Sequence, residues 1–140
     1  MADVVDKATR SRMMAGIRGK DTKPEMLIRS ELHRRGFRFR KNVKALPGKP
    51  DIVLSKYNAV IMINGCFWHG HECHLFKWPA TRSEFWRKKI QGNIERDGRN
   101  IRDLEAAEWR VLIVWECEIK GMGRSVEEVV GNVVLWLGSI

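Results

Sequence analysis

The stretch from Pro50 to Cys73 limits what this chain can fold into more than any other. Two largely apolar runs, Asp51–Leu54 and Ala59–Ile63, are separated by a short polar turn at Ser55–Asn58. Each has the length of a strand rather than a helix and is rich in β-branched residues, so the pair reads as two buried strands. Asn64-Gly65 ends the second run. The next eight positions, Cys66-Phe67-Trp68-His69-Gly70-His71-Glu72-Cys73, hold two thiols, two imidazoles and two large aromatic rings. Residues 65–80 are therefore expected to form an irregular, ligand-rich loop closed by Pro79. Packing alone holds a loop of that length poorly, so it needs another fastening.

The rest of the chain supplies helices around these strands. Thr22 with Glu25 three residues on has the form of a capping box, and Pro24 is tolerated in a first turn. Met26, Leu27, Ile28 and Leu32 give that helix an apolar stripe, and Gly36 its stop. Phe37-Arg38-Phe39-Arg40 alternates like a half-exposed strand, and Leu46–Pro50 is a turn. Ser83 is placed to cap a long helix reaching about Ala107, with Phe85, Ile90, Ile94, Ile101 and Leu104 as its buried side. Trp109–Trp115 is the most apolar strand and is expected at the centre of the sheet. Ser125 with Glu128 repeats the capping box before a helix through Val129, Val130, Val133, Val134 and Leu137. Residues 1–20 are expected to form a DNA-contacting arm, in which Thr9 would cap a short helix through Met13, Met14 and Ile17 that ends near Gly19. The order helix, strands, helix, strand, helix predicts an α/β sheet flanked by helices, in a single domain over 1–140 with its core in 21–140.

Charge narrows the partners. Of the net +9, all is carried by residues 1–50, with 14 Lys and Arg against 5 Asp and Glu; the remaining 90 residues are balanced. A localised basic field attracts polyanions, and without an aromatic, Leu-rich face beside it a lipid surface fits less well than nucleic acid. No uninterrupted apolar run approaches the ~18 residues of a membrane span, and Met1–Asp6 lacks the basic and apolar regions of a secretory signal. The expectation is a soluble, cytoplasmic protein with no membrane partner.

Three cysteines cannot complete a disulfide framework, and thiols clustered with histidines in a reducing compartment suit a metal. Structural zinc takes four tetrahedral thiolate or imidazole ligands, which Cys66, Cys73 and Cys117 with His71 would supply. His69 and His74 offer the same chemistry as His71, and Cys117 read alone is a buried strand cysteine. Asp51 stands at the mouth of a buried strand, a usual place to hold magnesium between a carboxylate and substrate phosphates. Such nuclease cores commonly add a Glu-x-Lys or Asp-x-Lys, but here the second strand ends Ile61-Met62-Ile63-Asn64. The nearest candidate base is His69, whose neutral imidazole suits proton abstraction near pH 7.

Gly65-Cys66-Phe67-Trp68-His69, Pro50-Asp51, Pro79-Ala80-Thr81-Arg82 with Phe85-Trp86, and Trp109-Arg110-Val111-Leu112 through Trp115-Glu116-Cys117 together resemble the very short patch repair (Vsr) DNA mismatch endonucleases. The likeness runs from Ala2-Asp3-Val4 and Lys7–Ser11 to about residue 117 at near-constant spacing. It implies a restriction-endonuclease-like fold and a magnesium-dependent nick at T:G mismatches, which arise when 5-methylcytosine deaminates. Asp51 would bind magnesium with the main-chain carbonyl of Ile63. His69 would be the general base, oriented by Asp97, and Glu25 would order waters of the magnesium shell near the leaving group. Cys66, His71, Cys73 and Cys117 would hold structural zinc. Phe67, Trp68 and Trp86 would wedge into the base stack from the major groove, with Met14 entering from the opposite side. A monomer acting on T:G-containing duplex, alongside mismatch-repair proteins and a repair polymerase, is the implied setting. This chain departs from the best-known members, which carry Thr-His where it has Ile63-Asn64. Asn64 can still hydrogen-bond a water or a phosphate oxygen.

Blander readings stand beside these. A Phe-Trp pair commonly belongs to a core, Asp97 can pair with Arg96 or Arg99 on a solvated helix face, and Glu25 has the capping box to serve. Two other functions use the same residues: a zinc-stabilised module that binds distorted DNA without cutting it, and a restriction-type nuclease acting on paired DNA.

Overall fold

The computed structural model describes residues 22–71, 73, 77–119 and 125–139. The arm, Met14 and His74 lie outside the described residues. Among the described residues three α-helices and four strands follow in the order α1 (Lys23–Arg34), β1 (Arg40–Lys41), β2 (Ile52–Leu54), β3 (Ala59–Asn64), α2 (Ser83–Ala106), β4 (Arg110–Trp115) and α3 (Val126–Gly138). The sheet has the order β1-β2-β3-β4. Its first two pairings are antiparallel and the β3–β4 pairing is parallel. Parallel neighbours need a crossover, and α2 provides it.

Alternation along the strands decides what each face meets. Ile52, Leu54, Ile61 and Ile63 pack with Ile28 and Leu32 of α1 and with Val129, Val130, Val133 and Leu137 of α3. Val53 and Val60 point the other way, onto Leu104 of α2, with Met62 and Val111 at the margin. Each buried aliphatic side chain contributes about 1.5–3 kcal/mol, so the central strands are held from both faces. Arg35 also ties α1 to α3, donating from Nη2 to the Glu127 carbonyl at 3.0 Å.

Five local expectations are corrected. β4 lies at an edge of the sheet among the described residues, and β2 and β3 are the strands with neighbours on both sides. The apolar run in β4 reflects two covered faces, not two paired edges. Only Arg40–Lys41 of the alternating segment pairs, while Phe37 and Phe39 pack against the α1/α3 side without belonging to a ladder. Thr22 makes no side-chain cap, and Glu25 instead turns inward, where it is 5% exposed. Along α2, Ile90 and Leu104 are buried, but Phe85 and Ile94 stay 44% and 40% exposed. Arg82, at φ 54°, takes the cap position expected of Ser83. Ser125 does cap α3, its hydroxyl accepting from the Glu128 amide at 3.2 Å.

The N-terminal half of α2 faces the loop after β3. Gly70, at φ +64°, lies so close beneath it that a Cβ would stand 2.7 Å from Ile94 Cδ1 and 2.9 Å from Ile90 Cγ2. Glycine is required there by backbone conformation and by space. No helix among the described residues is long and apolar enough to cross a membrane.

Candidate active site

Asp51 sits one residue before β2, where the β2–β3 ladder stops pairing. Ile63, two residues beyond the Ile52–Ile61 pair, donates its N–H to Asp51 Oδ2 at 2.7 Å. The carboxyl group is thus held by the backbone of the neighbouring strand. Burial pushes its pKa up to about 7, and the nearby Glu25 carboxylate pushes the same way. The Ile63 N–H, the Arg29 guanidinium and His69 pull against them. A carboxylate in this position gains from a cation, which relieves both the burial and the like charge.

Asp51 opens into a groove of about 940 Å³, lined also by Glu25, Ile63, Asn64, Phe67, Trp68, His69, Trp86 and Asp97. Glu25 reaches it from the first turn of α1. Asn64, the last residue of β3, is only 8% exposed.

His69 reaches the groove from the loop. Three bonds wind the backbone there: His69 N–H to the Gly65 carbonyl at 3.3 Å, Gly70 N–H to Phe67 at 3.2 Å, and His71 N–H to Cys66 at 2.9 Å. Asn93 of α2 donates from Nδ2 to the Trp68 carbonyl at 2.8 Å. One helical turn on, Asp97 Oδ2 meets His69 Nδ1 at 2.5 Å. A carboxylate at Nδ1 accepts the ring proton and leaves the lone pair at Nε2, the form a base requires. Asp97 is thereby engaged with the imidazole.

Behind this turn, one ligand atom from each of Cys66, His71, Cys73 and Cys117 lies within 4.8 Å of the others. Cys117 follows β4, and its sulfur is 3.6 Å from His71 Nδ1. His71 is stacked on Trp115, with centroids 4.1 Å apart and planes at 9°. Sulfurs around tetrahedral zinc, at Zn–S ~2.3 Å, stand roughly 3.8 Å apart, so the cluster is close to the required size. Burial pushes the Cys66 thiol up to about 12 and raises that of Cys117. Buried thiols of this kind ionise readily only beside a cation, and the donor set fits a metal ion. His69 is occupied by Asp97, so His71 is the imidazole of this cluster among the described residues.

The aromatic residues do not join the core. Phe67 and Trp68 meet edge to face at 5.2 Å, and Trp86 lies 5.5 and 5.7 Å from them. All three line the groove and are half-buried.

Comparison with known proteins agrees with this geometry. Residues 2–75 match the family model of the DNA mismatch endonuclease Vsr. The DNA mismatch endonuclease Vsr of Escherichia coli is 52% identical over 128 residues, covering 91% of this chain and 82% of that protein. The chain belongs to the Vsr DNA mismatch endonuclease family. Vsr-like relatives named type II nicking enzymes include V.NmeAIP of Neisseria meningitidis, 49% identical over 120 residues and 86% of each chain. V.XorIIP of Xanthomonas oryzae pv. oryzae is 43% identical over 123 residues, 88% of this chain and 90% of that one. As a Vsr endonuclease the protein is a hydrolase of DNA phosphodiester bonds, and its mixed sheet flanked by helices is the restriction-endonuclease-like arrangement.

Two residues escaped the sequence reading. Arg29 is 7% exposed behind Glu25, and Asn93 anchors the loop. Both had a signal in helical spacing. Arg29 is four residues after Glu25, and Asn93 four before Asp97, so each pair shares a helix face.

Proposed function

We propose that this Vsr-family enzyme nicks duplex DNA at T:G mismatches with magnesium as cofactor. The observation that carries the reading is the Asp51 carboxylate, half-buried and bonded to the Ile63 N–H, in the same groove as the His69–Asp97 pair and three aromatic rings. Asp51 and the Ile63 carbonyl would hold the ion. Bound there, magnesium would neutralise charge on the phosphate and acidify a water.

The other roles fall to the chain itself. His69 Nε2 takes a proton from the attacking water, and Asp97 keeps the ring in the required tautomer. Glu25 orders waters on the leaving-group side, and Asn64 hydrogen-bonds a phosphate oxygen or a water. Phe67, Trp68 and Trp86 enter the base stack. Unstacking costs a few kcal/mol per step and is least unfavourable at a mismatch, so a wedge selects T:G over paired DNA. Met14 and the 1–20 arm close on the opposite groove, supported by the basic charge of residues 1–50. Cys66, His71, Cys73 and Cys117 hold zinc, which fastens the base and wedge to the sheet. The enzyme acts as a cytoplasmic monomer within one domain, and its nick is handed to mismatch-repair proteins and a repair polymerase.

Purified protein incubated with magnesium and labelled duplexes, T:G beside fully paired, tests this. A nick confined to the T strand of the mismatched duplex is expected. Binding without a break would replace the reading with a recognition module, and equal cutting of paired duplex with a restriction-type nuclease.

A further inference from the structure

We propose that Arg29 is a positioning residue for cleavage, holding the Glu25 carboxylate in the orientation it needs at the floor of the groove. The proposal rests on the nicking reading above and deepens it.

Arginine on a helix ordinarily reaches solvent, and it is rarely enclosed unless paired. Arg29 is 7% exposed and Glu25 is 5% exposed. Their i,i+4 spacing places both on the face of α1 turned inward. Arg29 Nη2 stands 3.6 Å from Glu25 Oε2, and its Nε donates to the Glu25 carbonyl at 3.4 Å. One guanidinium thus bonds the backbone of Glu25 and stands as a counter-charge beside its carboxylate. A positive charge beside Oε2 favours the rotamer that keeps this oxygen toward the guanidinium. Glu25 lines the groove among its described residues and Arg29 does not, so the guanidinium lies behind the acid rather than in the path of a substrate.

Charge points the same way. Asp51 feels Glu25 and Arg29 with opposite sign, so the three groups share one electrostatic neighbourhood. A buried and a half-buried carboxylate without a fixed positive charge beside them would repel each other and turn apart. A purely stabilising role explains the pair poorly, because buried ion pairs contribute little net stability compared with apolar residues of similar volume. The same helix also has a separate ion network at its other end. There Glu31 meets Arg34 at 2.5 Å and Arg35 at 2.8 Å, far shorter than the Glu25 pair.

The test is kcat and KM on T:G duplex with magnesium for the unmodified chain, Glu25→Gln, Arg29→Gln, Arg29→Lys and the Glu25→Gln/Arg29→Gln double variant. Small misplacements at such sites cost up to about 100-fold, so Arg29→Gln is expected to lower kcat about tenfold or more with KM within about twofold. Arg29→Lys, keeping the charge without the fork, should fall between Arg29→Gln and the unmodified chain. The double variant should be no slower than Glu25→Gln alone, because Arg29 acts through Glu25. Unchanged kcat in Arg29→Gln, or a further slowing of Glu25→Gln by the same factor, overturns the proposal. Should Arg29→Gln fail to fold by circular dichroism, Arg29→Lys decides alone: kcat about threefold or more below the unmodified chain supports the proposal, and equal kcat overturns it. Cleavage by the unmodified chain tests the nicking reading, whereas the variant ratios test Arg29.

Discussion

The acidic corner and the Cys/His loop share one groove and adjoin in the chain at Asn64-Gly65, yet they are held in opposite ways. Asp51, Ile63 and Asn64 belong to the ends of sheet strands, and Glu25 to a helix whose Ile28 and Leu32 are wholly buried. Burial and ladder hydrogen bonds fix that corner, and its strain is electrostatic. The loop from Gly65 to Cys73 has no ladder partner among the described residues. Side-chain links hold it: Asn93 to Trp68, Asp97 to His69, Gly70 beneath Ile94, and four ligand-type groups drawn together. A corner placed by core packing would tolerate loss of a bound metal, whereas a loop fastened by metal ligands would not.

The largest expected effect comes from the corner. Asp51→Asn should lower cleavage by about three orders of magnitude, since a metal-holding carboxylate is asked for several kcal/mol. The same change should stabilise the metal-free fold, because it removes a half-buried acid whose charged form is disfavoured there. The sign follows from a folded pKa raised to about 7. Stability contributed by protonated Asp51 is complete below the ordinary carboxylate range and is lost as pH rises through about 7. Thermal melts in chelator should show this decline in the unmodified chain and not in Asp51→Asn. A parallel decline in both would refute the electrostatic account of the corner.

Next is the loop. If the cluster holds zinc as proposed, Cys117→Ser should release it, measured by elemental analysis, and lower cleavage about 100-fold as the proposed base His69 loses its place. Far-ultraviolet circular dichroism should keep the sheet and helix signature, since the corner does not depend on that metal. Undiminished zinc would contradict the ligand set, and global unfolding would erase the contrast between the two regions.

Gly70→Ala probes the same fastening without touching a ligand. The added methyl would meet Ile94 at 2.7 Å in a left-handed backbone conformation, so the loop or helix must shift. A loss of about 1–3 kcal/mol in denaturant unfolding is expected. An unchanged midpoint would mean that the loop is less tightly held against α2 than the contact implies.

The smallest effect belongs to the scaffold of the corner. Hydrogen bonds from Arg34 and Arg35 lower the Glu31 pKa to about 2. Its contribution is therefore present above the ordinary carboxylate range and is lost as pH falls toward 2. Glu31→Gln should flatten that part of the acid-unfolding curve and leave cleavage unchanged. Retained acid sensitivity would remove Glu31 from the account of how α1 is held.

The fold was legible wherever local pattern and tertiary packing agree. Asp51–Leu54, Ala59–Ile63 and the α2 and α3 segments are recovered to within a residue or so at most ends, because strand alternation and helix spacing depend on near neighbours. Glu25 misled for a related reason. Thr-x-x-Glu is a capping pattern locally, but burial of an acid beside Arg29 is a fact of the third dimension. The apolar run in β4 suggested a central strand, whereas pairing partners come from distant segments that no local window contains.

Sequence by itself determined the residue types of the site and which short segments carry them, since donor chemistry and backbone propensity travel with the residue. Tertiary structure decided which of those residues meet. Cys117 comes to lie beside Cys66 and His71 only because the Ala59–Asn64 and Arg110–Trp115 strands run parallel and in register, from Ala59 against Arg110 to Asn64 against Trp115. Asp97 reaches His69 only because the crossover helix passes over the loop. Chain closure over dozens of residues fixes both meetings, and that depends on how the whole core packs.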